Sequence, residues 1–244
     1  MQFIPVKTRP LLPPQDDIYP VLDESLPALR DNDIVLIASK VISIHQGRCI
    51  PMGDVADKDE LIKQEAEAYI DRVECPGGYV VLTIKGHTLV ASAGIDESNT
   101  NGYYSLWPER VNAIAKDIRD YLQKKFGLAQ LAIIITDSRF MPLRYGAVGV
   151  AIGGFGINPI RDYRQTPDIF GRMLIMSRSN VVDSLASAAV LMMGEGDEQI
   201  PIVIARDVPR IDFTAEDIFG ELFMPVEEDI YYPLLKKFYE RQKK

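Results

Sequence analysis

LAIIITDSRFMPLRYGAVGVAIGGFG, residues 131–156, is the stretch whose reading decides the fold. Its first part is a run of apolar, largely β-branched residues closed by Asp137 and Ser138, which predicts a buried strand with a carboxylate at its tip. A basic, proline-containing turn follows, and then AVGVAIGG, which predicts a second strand. Glycines at 146, 149, 153, 154 and 156 have two readings. They serve close strand packing and turns, with Asp137 bonded to its own backbone, or they let backbone crowd a bound cation or phosphate.

Around this stretch, strands and helices intermix. Residues 2–7 predict a short strand, and IVLIASKVIS (34–43) predicts a long buried one. KDELIKQEAEAYIDR (58–72) has apolar residues at helical spacing and acids early, which predicts a helix. YVVLTIKG and TLVASAG, separated at Gly86–His87, predict a hairpin. A helix is expected from Pro108 to Phe126, ended by Gly127, another over 179–193, and a last one over 226–241 with a Lys-rich end. IPIVIARDV (200–208) is a late strand. No regular βαβ alternation appears, so the class is α+β with mostly antiparallel sheets and packed helices.

The composition narrows the function. A net charge of −8 argues against a general nucleic-acid binder, which needs a basic face. Cys49 and Cys75 have no metal-type spacing and cannot build a disulfide framework, which fits a reducing cytoplasm. The opening MQFIPVKTRPLLPP is too polar and proline-rich for a signal peptide, and no apolar run has the length of a membrane span. The expectation is a cytoplasmic protein with neither nucleic-acid nor membrane partners. With only His45 and His87, histidine metal sites and Ser-His-Asp triads have little material. The Walker loop, the nucleophile elbow and the dinucleotide fingerprint are absent. Three acids stand out instead. Asp96 in SAGIDESN, Asp137 in IITDS and Glu195 in MMGEGDE each emerge at the end of an apolar segment. Such oxygen donors suit Mg2+ or Mn2+ shared with substrate phosphates, although a turn residue bonding its own backbone looks the same in sequence.

Six stretches then occur in order: SKVISIHQGR (39–48), SAGIDESN (92–99), IIITDS (133–138), LRYGAVGVAIG (143–153), DYRQTPDIFGR (162–172) and LMMGEGDEQIP (191–201). Together they resemble the γ-glutamyl ligase family typified by coenzyme F-420:L-glutamate ligases, from about residue 5 to about residue 205. The resemblance implies one unit over residues 1–244, made of two intimately associated subdomains whose boundary stays open, in an intertwined homodimer. It implies a nucleotide-dependent ligase in which GTP or ATP activates a carboxylate as an acyl phosphate that the amine of L-glutamate attacks. By position, Asp96, Asp137, Ser138 and Glu195 would hold two divalent cations, Mg2+ or Mn2+, and K+ is a further candidate. Arg9, Pro10, Leu11, Leu12, Ser39, Lys40, Asn99, Met193, Gly194, Glu195 and Gly196 would bind the nucleotide, and Asp137 and Arg144 would act in catalysis.

Two departures bear on the substrate. Where the family usually reads SKAEGR, this chain has Ser43-Ile44-His45-Gln46-Gly47-Arg48, so Ile44 replaces a lysine and Lys40 is left to take part of its role. Where members acting on coenzyme F-420 carry a GRxxR-like run, Phe140-Met141-Pro142-Leu143-Arg144 keeps one arginine. That loop and the DYRQTPDIFGR run resemble a branch associated with folate γ-glutamylation, so the acceptor is either a deazaflavin precursor or a folate. The competing reading is a homologue that binds nucleotide and metal without catalysis.

Overall fold

A computed structural model describes residues 1–240. The chain runs β1 (Gln2–Val6), α1 (Ile18–Ser25), β2 (Asp33–Ala38), α2 (Ser39–His45), β3 (Cys49–Pro51), α3 (Lys58–Glu65), β4 (Ala68–Ile70), β5 (Leu82–Lys85), β6 (Thr88–Ala91) and β7 (Tyr103–Ser105). It continues with α4 (Val111–Phe126), β8 (Leu131–Phe140), β9 (Ala147–Phe155), β10 (Ile160–Asp162), β11 (Arg178–Asn180), α5 (Val181–Met193), β12 (Ile202–Arg206) and α6 (Tyr232–Glu240).

The frame is a five-stranded sheet in the order β1-β12-β2-β8-β9. Its central pair, β2 and β8, is parallel and the other pairings are antiparallel. Both faces of β2 and β8 are covered, which is why they read as unbroken apolar runs rather than alternating ones. Val35, Ile37, Ile133 and Ile135 point to the core under α1, α2 and α4, and Ile34, Leu36, Ala132 and Ile134 to the core under α5. Three smaller sheets stand apart: β4-β5-β6, β3-β7 and β10-β11. The class is therefore α+β with antiparallel pairing dominant, as the patterning predicts.

Several boundaries differ from the expectation. The strand expected over 34–43 ends at Ala38, and Ser39 starts α2, because Val41, Ile42 and Ile44 pack by the helical period against the core that Val35 and Ile37 enter from the sheet. The helix expected over 58–72 stops at Glu65. Ala68–Ile70 extends as β4 and pairs with β5, so sheet pairing overrides local helix preference. The hairpin of β5 and β6 turns at Gly86–His87, both with positive φ. α4 starts at Val111 and closes on Gly127 in the left-handed region, whose N–H donates to the Gln123 carbonyl. α5 starts after Asn180, whose side chain accepts from the Asp183 N–H at 3.0 Å. The last helix is shorter than 226–241: Val226–Glu228 is a single 3-10 turn, α6 covers Tyr232–Glu240, and residue 241 lies outside the described residues.

The two strands predicted within 131–156 are β8 and β9, which pair with each other. β8 runs past the tip expected at Asp137 to Phe140, because Asp137–Phe140 keep partners on β9, and a register shift after Ile135 leaves Ile152 as the extra residue on β9. A Cβ on Gly149 would fall on the Ala186 carbonyl of α5, so this glycine allows the helix to close onto the strand. Where the main sheet ends opposite the β8 tip, Arg206 makes a two-pronged ion pair to Asp33, Nε to Oδ1 at 2.8 Å and Nη2 to Oδ2 at 2.7 Å. Both side chains are buried.

Candidate functional site

The parallel pairing of β2 with β8 ends at Ala38 and Thr136, so Ser39 and Asp137 meet where it stops, while β8 runs on to Phe140 against β9. The Ser39 hydroxyl donates to Asp137 Oδ2 at 2.9 Å, and the Ser138 N–H donates to Oδ1 at 2.7 Å. Burial pushes the Asp137 carboxyl up to about 6, a shift opposed by Ser39 and Ser138 and reinforced by the Asp96 charge.

Asp96 comes from a different part of the chain, the loop after β6. Its backbone exchanges two hydrogen bonds with Ser105 of β7, at 3.1 and 2.8 Å. Upstream, Gly94 at φ 69° lies flat against Trp107, and a Cβ there would run into the indole ring. Lys40 Nζ lies 2.7 Å from Asp96 Oδ2 and donates to the Ser98 carbonyl at 2.8 Å, while the Ser98 N–H donates to Asp96 Oδ1 at 2.8 Å. Burial works against the charged Asp96, yet Lys40 and Ser98 outweigh it and hold the carboxyl below its ordinary value.

The third wall is the loop after α5. Gly194, at φ 76°, caps the helix by donating to the Val190 carbonyl at 3.0 Å. Asn99 Nδ2 donates to the Gly196 carbonyl at 2.8 Å, and the Gly196 N–H donates to Glu198 Oε2 at 2.9 Å. The Ala38 N–H bonds the Pro201 carbonyl at 2.9 Å, which fixes this loop to the end of β2.

These three walls and the Thr8–Leu11 segment enclose a cleft of about 570 Å³. It gathers Asp96, Asp137, Ser138 and Glu195, together with Arg9, Pro10, Leu11, Ser39, Lys40, Asn99, Met193, Gly194 and Gly196. Two expected residues do not reach it. Leu12 is exposed, its N–H held by Asp16 Oδ2 at 3.0 Å, and Arg144 sits on the exposed turn after β8, bonded to the Leu143 carbonyl at 2.9 Å. Arg9 lines the cleft with its guanidinium paired to Asp16, Nη1 to Oδ2 at 2.6 Å. Ile44 is a buried apolar part of the wall, beside Leu106 and Trp107.

The sequence reading missed Ser98, which ties Lys40 to Asp96, and Glu198, which shapes the 194–198 loop. The Asp-x-Ser spacing in IDES carried the first as an Asx turn. Glu198 had no local signal. Among the described residues, no three His, Cys, Asp or Glu side chains form a ready-made metal cluster. The donors that do converge are carboxylate, hydroxyl and backbone oxygens. That chemistry fits a hard divalent cation held by one or two protein carboxylates with the remaining positions taken by water and substrate phosphate.

Sequence comparison gives first the class: the protein is a ligase, and the sequence model of the family described as F420-0:gamma-glutamyl ligase matches residues 7–207. The chain belongs to that family. Among its relatives, the coenzyme F420:L-glutamate ligase of Methanosarcina mazei is 35% identical over 84% of this chain and 85% of its own length. The enzymes of that name from Methanothermobacter thermautotrophicus and Halorubrum lacusprofundi are 32% and 34% identical, over 95% and 98% of this chain and 98% of their own lengths.

Proposed function

We propose that this protein is a nucleotide-dependent γ-glutamyl ligase that joins an acceptor carboxylate to the amino group of L-glutamate through an acyl phosphate. The observation that carries the reading is the meeting of Asp96, from the loop after β6, and Asp137, from the main sheet, with Ser39 and Lys40 in one cleft of a γ-glutamyl ligase family chain. GTP or ATP lies along the cleft, its phosphates near the 194–196 loop, where glycine backbone allows close approach. Asp96, Asp137, Ser138 and Glu195 hold Mg2+ or Mn2+, with K+ as a further candidate; the divalent metal supplies charge neutralisation to the transferring phosphoryl group. Lys40 leaves Asp96 for the phosphates when nucleotide enters. The acceptor carboxylate oxygen attacks the terminal phosphorus and the nucleoside diphosphate leaves. The glutamate nitrogen then attacks the acyl carbon, a proton is lost from it, and phosphate departs. No side-chain nucleophile takes part.

The acceptor is a deazaflavin precursor or a folate, and the protein acts in the cytoplasm. Among the described residues, no helix is long and apolar enough to cross a membrane. The protein works as an intertwined homodimer of two-subdomain chains. Leu143, Tyr145, Ile169, Phe170 and Met176 support this, because they expose apolar surface on the two excursions that follow β8 and β10.

Incubation with GTP or ATP, Mg2+, L-glutamate and each acceptor tests the reading by phosphate release and product mass. Absence of turnover with every acceptor, together with no nucleotide binding by calorimetry, refutes it. The second reading is a nucleotide- and metal-binding homologue without catalysis, favoured by the Lys40 ammonium already seated on Asp96. Nucleotide binding without phosphate release selects it.

A further inference from the structure

Beyond the cleft, one polar atom stands out. Among the described residues, Arg139 Nε is the one buried side-chain nitrogen or oxygen without a hydrogen-bond partner. The guanidinium makes no ion pair to another described residue either, unlike Arg206, which is held by Asp33. A buried guanidinium nitrogen left unpaired is costly, and folded proteins keep such groups where something else completes them.

Its position says what that something is. Arg139 lies on β8 two residues beyond Asp137, opposite Val148 as Asp137 is opposite Val150. The strand is regular there, so both side chains leave the same face, about 7 Å apart along the strand. Asp137 lines the cleft, and Arg139 lies one step past its edge, towards the exposed Phe140 turn. A substrate reacting at Asp137 and extending outward along β8 passes Arg139.

We propose that Arg139 recognises the acceptor by an anionic group separate from the reacting carboxyl, a second carboxylate or a phosphodiester. This rests on the reading of the Asp137 end of the cleft as the reaction centre. The planar guanidinium suits such an oxyanion through paired N–H donors, and binding satisfies the orphaned Nε.

Arg139→Gln, Arg139→Met and Arg139→Lys, each in the whole chain, test this. With Gln or Met the Michaelis constant for the acceptor rises about 100-fold, the weight of one charge-assisted pair, while turnover at saturation falls far less. The L-glutamate constant and nucleotide affinity by calorimetry change by less than about threefold, and Lys recovers part of the loss. In denaturant, Arg139→Met is at least as stable as the parent, because it removes an unpaired buried donor. Equal losses for acceptor, glutamate and nucleotide overturn the proposal, as does marked destabilisation of both Gln and Met variants. So does a change of oligomeric state with acceptor kinetics untouched, which would move Arg139 to a subunit contact. If the parent protein turns over no acceptor, the ligase reading fails separately. Arg139 is then judged by phenylglyoxal modification mapped by mass spectrometry. Protection by inorganic phosphate or glutarate supports an oxyanion site, and none overturns it.

Discussion

Replacing Asp137 by Asn is expected to remove activity and stabilise the metal-free protein at the same time. The native carboxyl titrates at about 6 against an ordinary value of 3.8, burial being the chief cause. A raised acid pKa means that the folded state holds its proton more tightly than the unfolded chain. Stability from this group is therefore fullest below about pH 4 and falls as the pH climbs to about 6. Two pKa units correspond to about 3 kcal/mol, an upper bound for a half-buried side chain. The amide has no charge to bury and keeps both partners: its oxygen accepts from the Ser138 N–H, and its Nδ2 donates to the Ser39 hydroxyl. Urea unfolding of both proteins in EDTA, from pH 4 to pH 8, measures the effect. The difference is expected to start near zero and grow to a gain of about 2–3 kcal/mol for the variant by pH 7. Mg2+ with nucleotide then stabilises the parent and not the variant. A variant less stable than the parent at pH 8, or a difference that ignores pH, would refute the argument that Asp137 is held against its own solvation.

Asp33→Ala strands the buried Arg206 charge and is expected to cost about 3–5 kcal/mol in denaturant unfolding, whereas the paired change Asp33→Leu with Arg206→Met recovers most of it. Gly149→Ala drives a methyl into the Ala186 carbonyl and should lower the urea midpoint by the equivalent of about 1–3 kcal/mol, with activity per folded molecule preserved. Lys40→Met lets the Asp96 carboxyl rise from its depressed value and should weaken nucleotide binding at least tenfold by calorimetry, without loss of fold. Chelation by EDTA should abolish phosphate release and readdition of Mg2+ restore it; turnover that survives exhaustive chelation would count against the carboxylate-held cation.

The elements with strong local chemistry were legible in the sequence. LAIIIT reads as a doubly covered strand, and every residue from Leu131 to Thr136 is buried; α4 shows its Gly127 cap. SKVIS did not read as a helix, since β-branched residues in a ten-residue apolar run satisfy either period until the core beside β2 chooses one. AYI at 68–70 likewise belongs to β4 only because β5 is there to pair with it.

By itself, the sequence determined that an acid follows the buried part of a strand, that glycines lie close after it, and which family the six motifs resemble. Those follow from residue type and spacing along the chain. The tertiary structure decided what the acid meets. Parallel pairing of β2 with β8 puts Ser39, 98 residues away, on Asp137, and the β6–β7 loop brings Asp96 under Lys40. It also decided that Arg144 stays on the outer turn while Arg139 keeps a buried nitrogen without a partner. Such facts depend on strand order, register and burial, and residues close in space but far apart in sequence leave no local pattern to read.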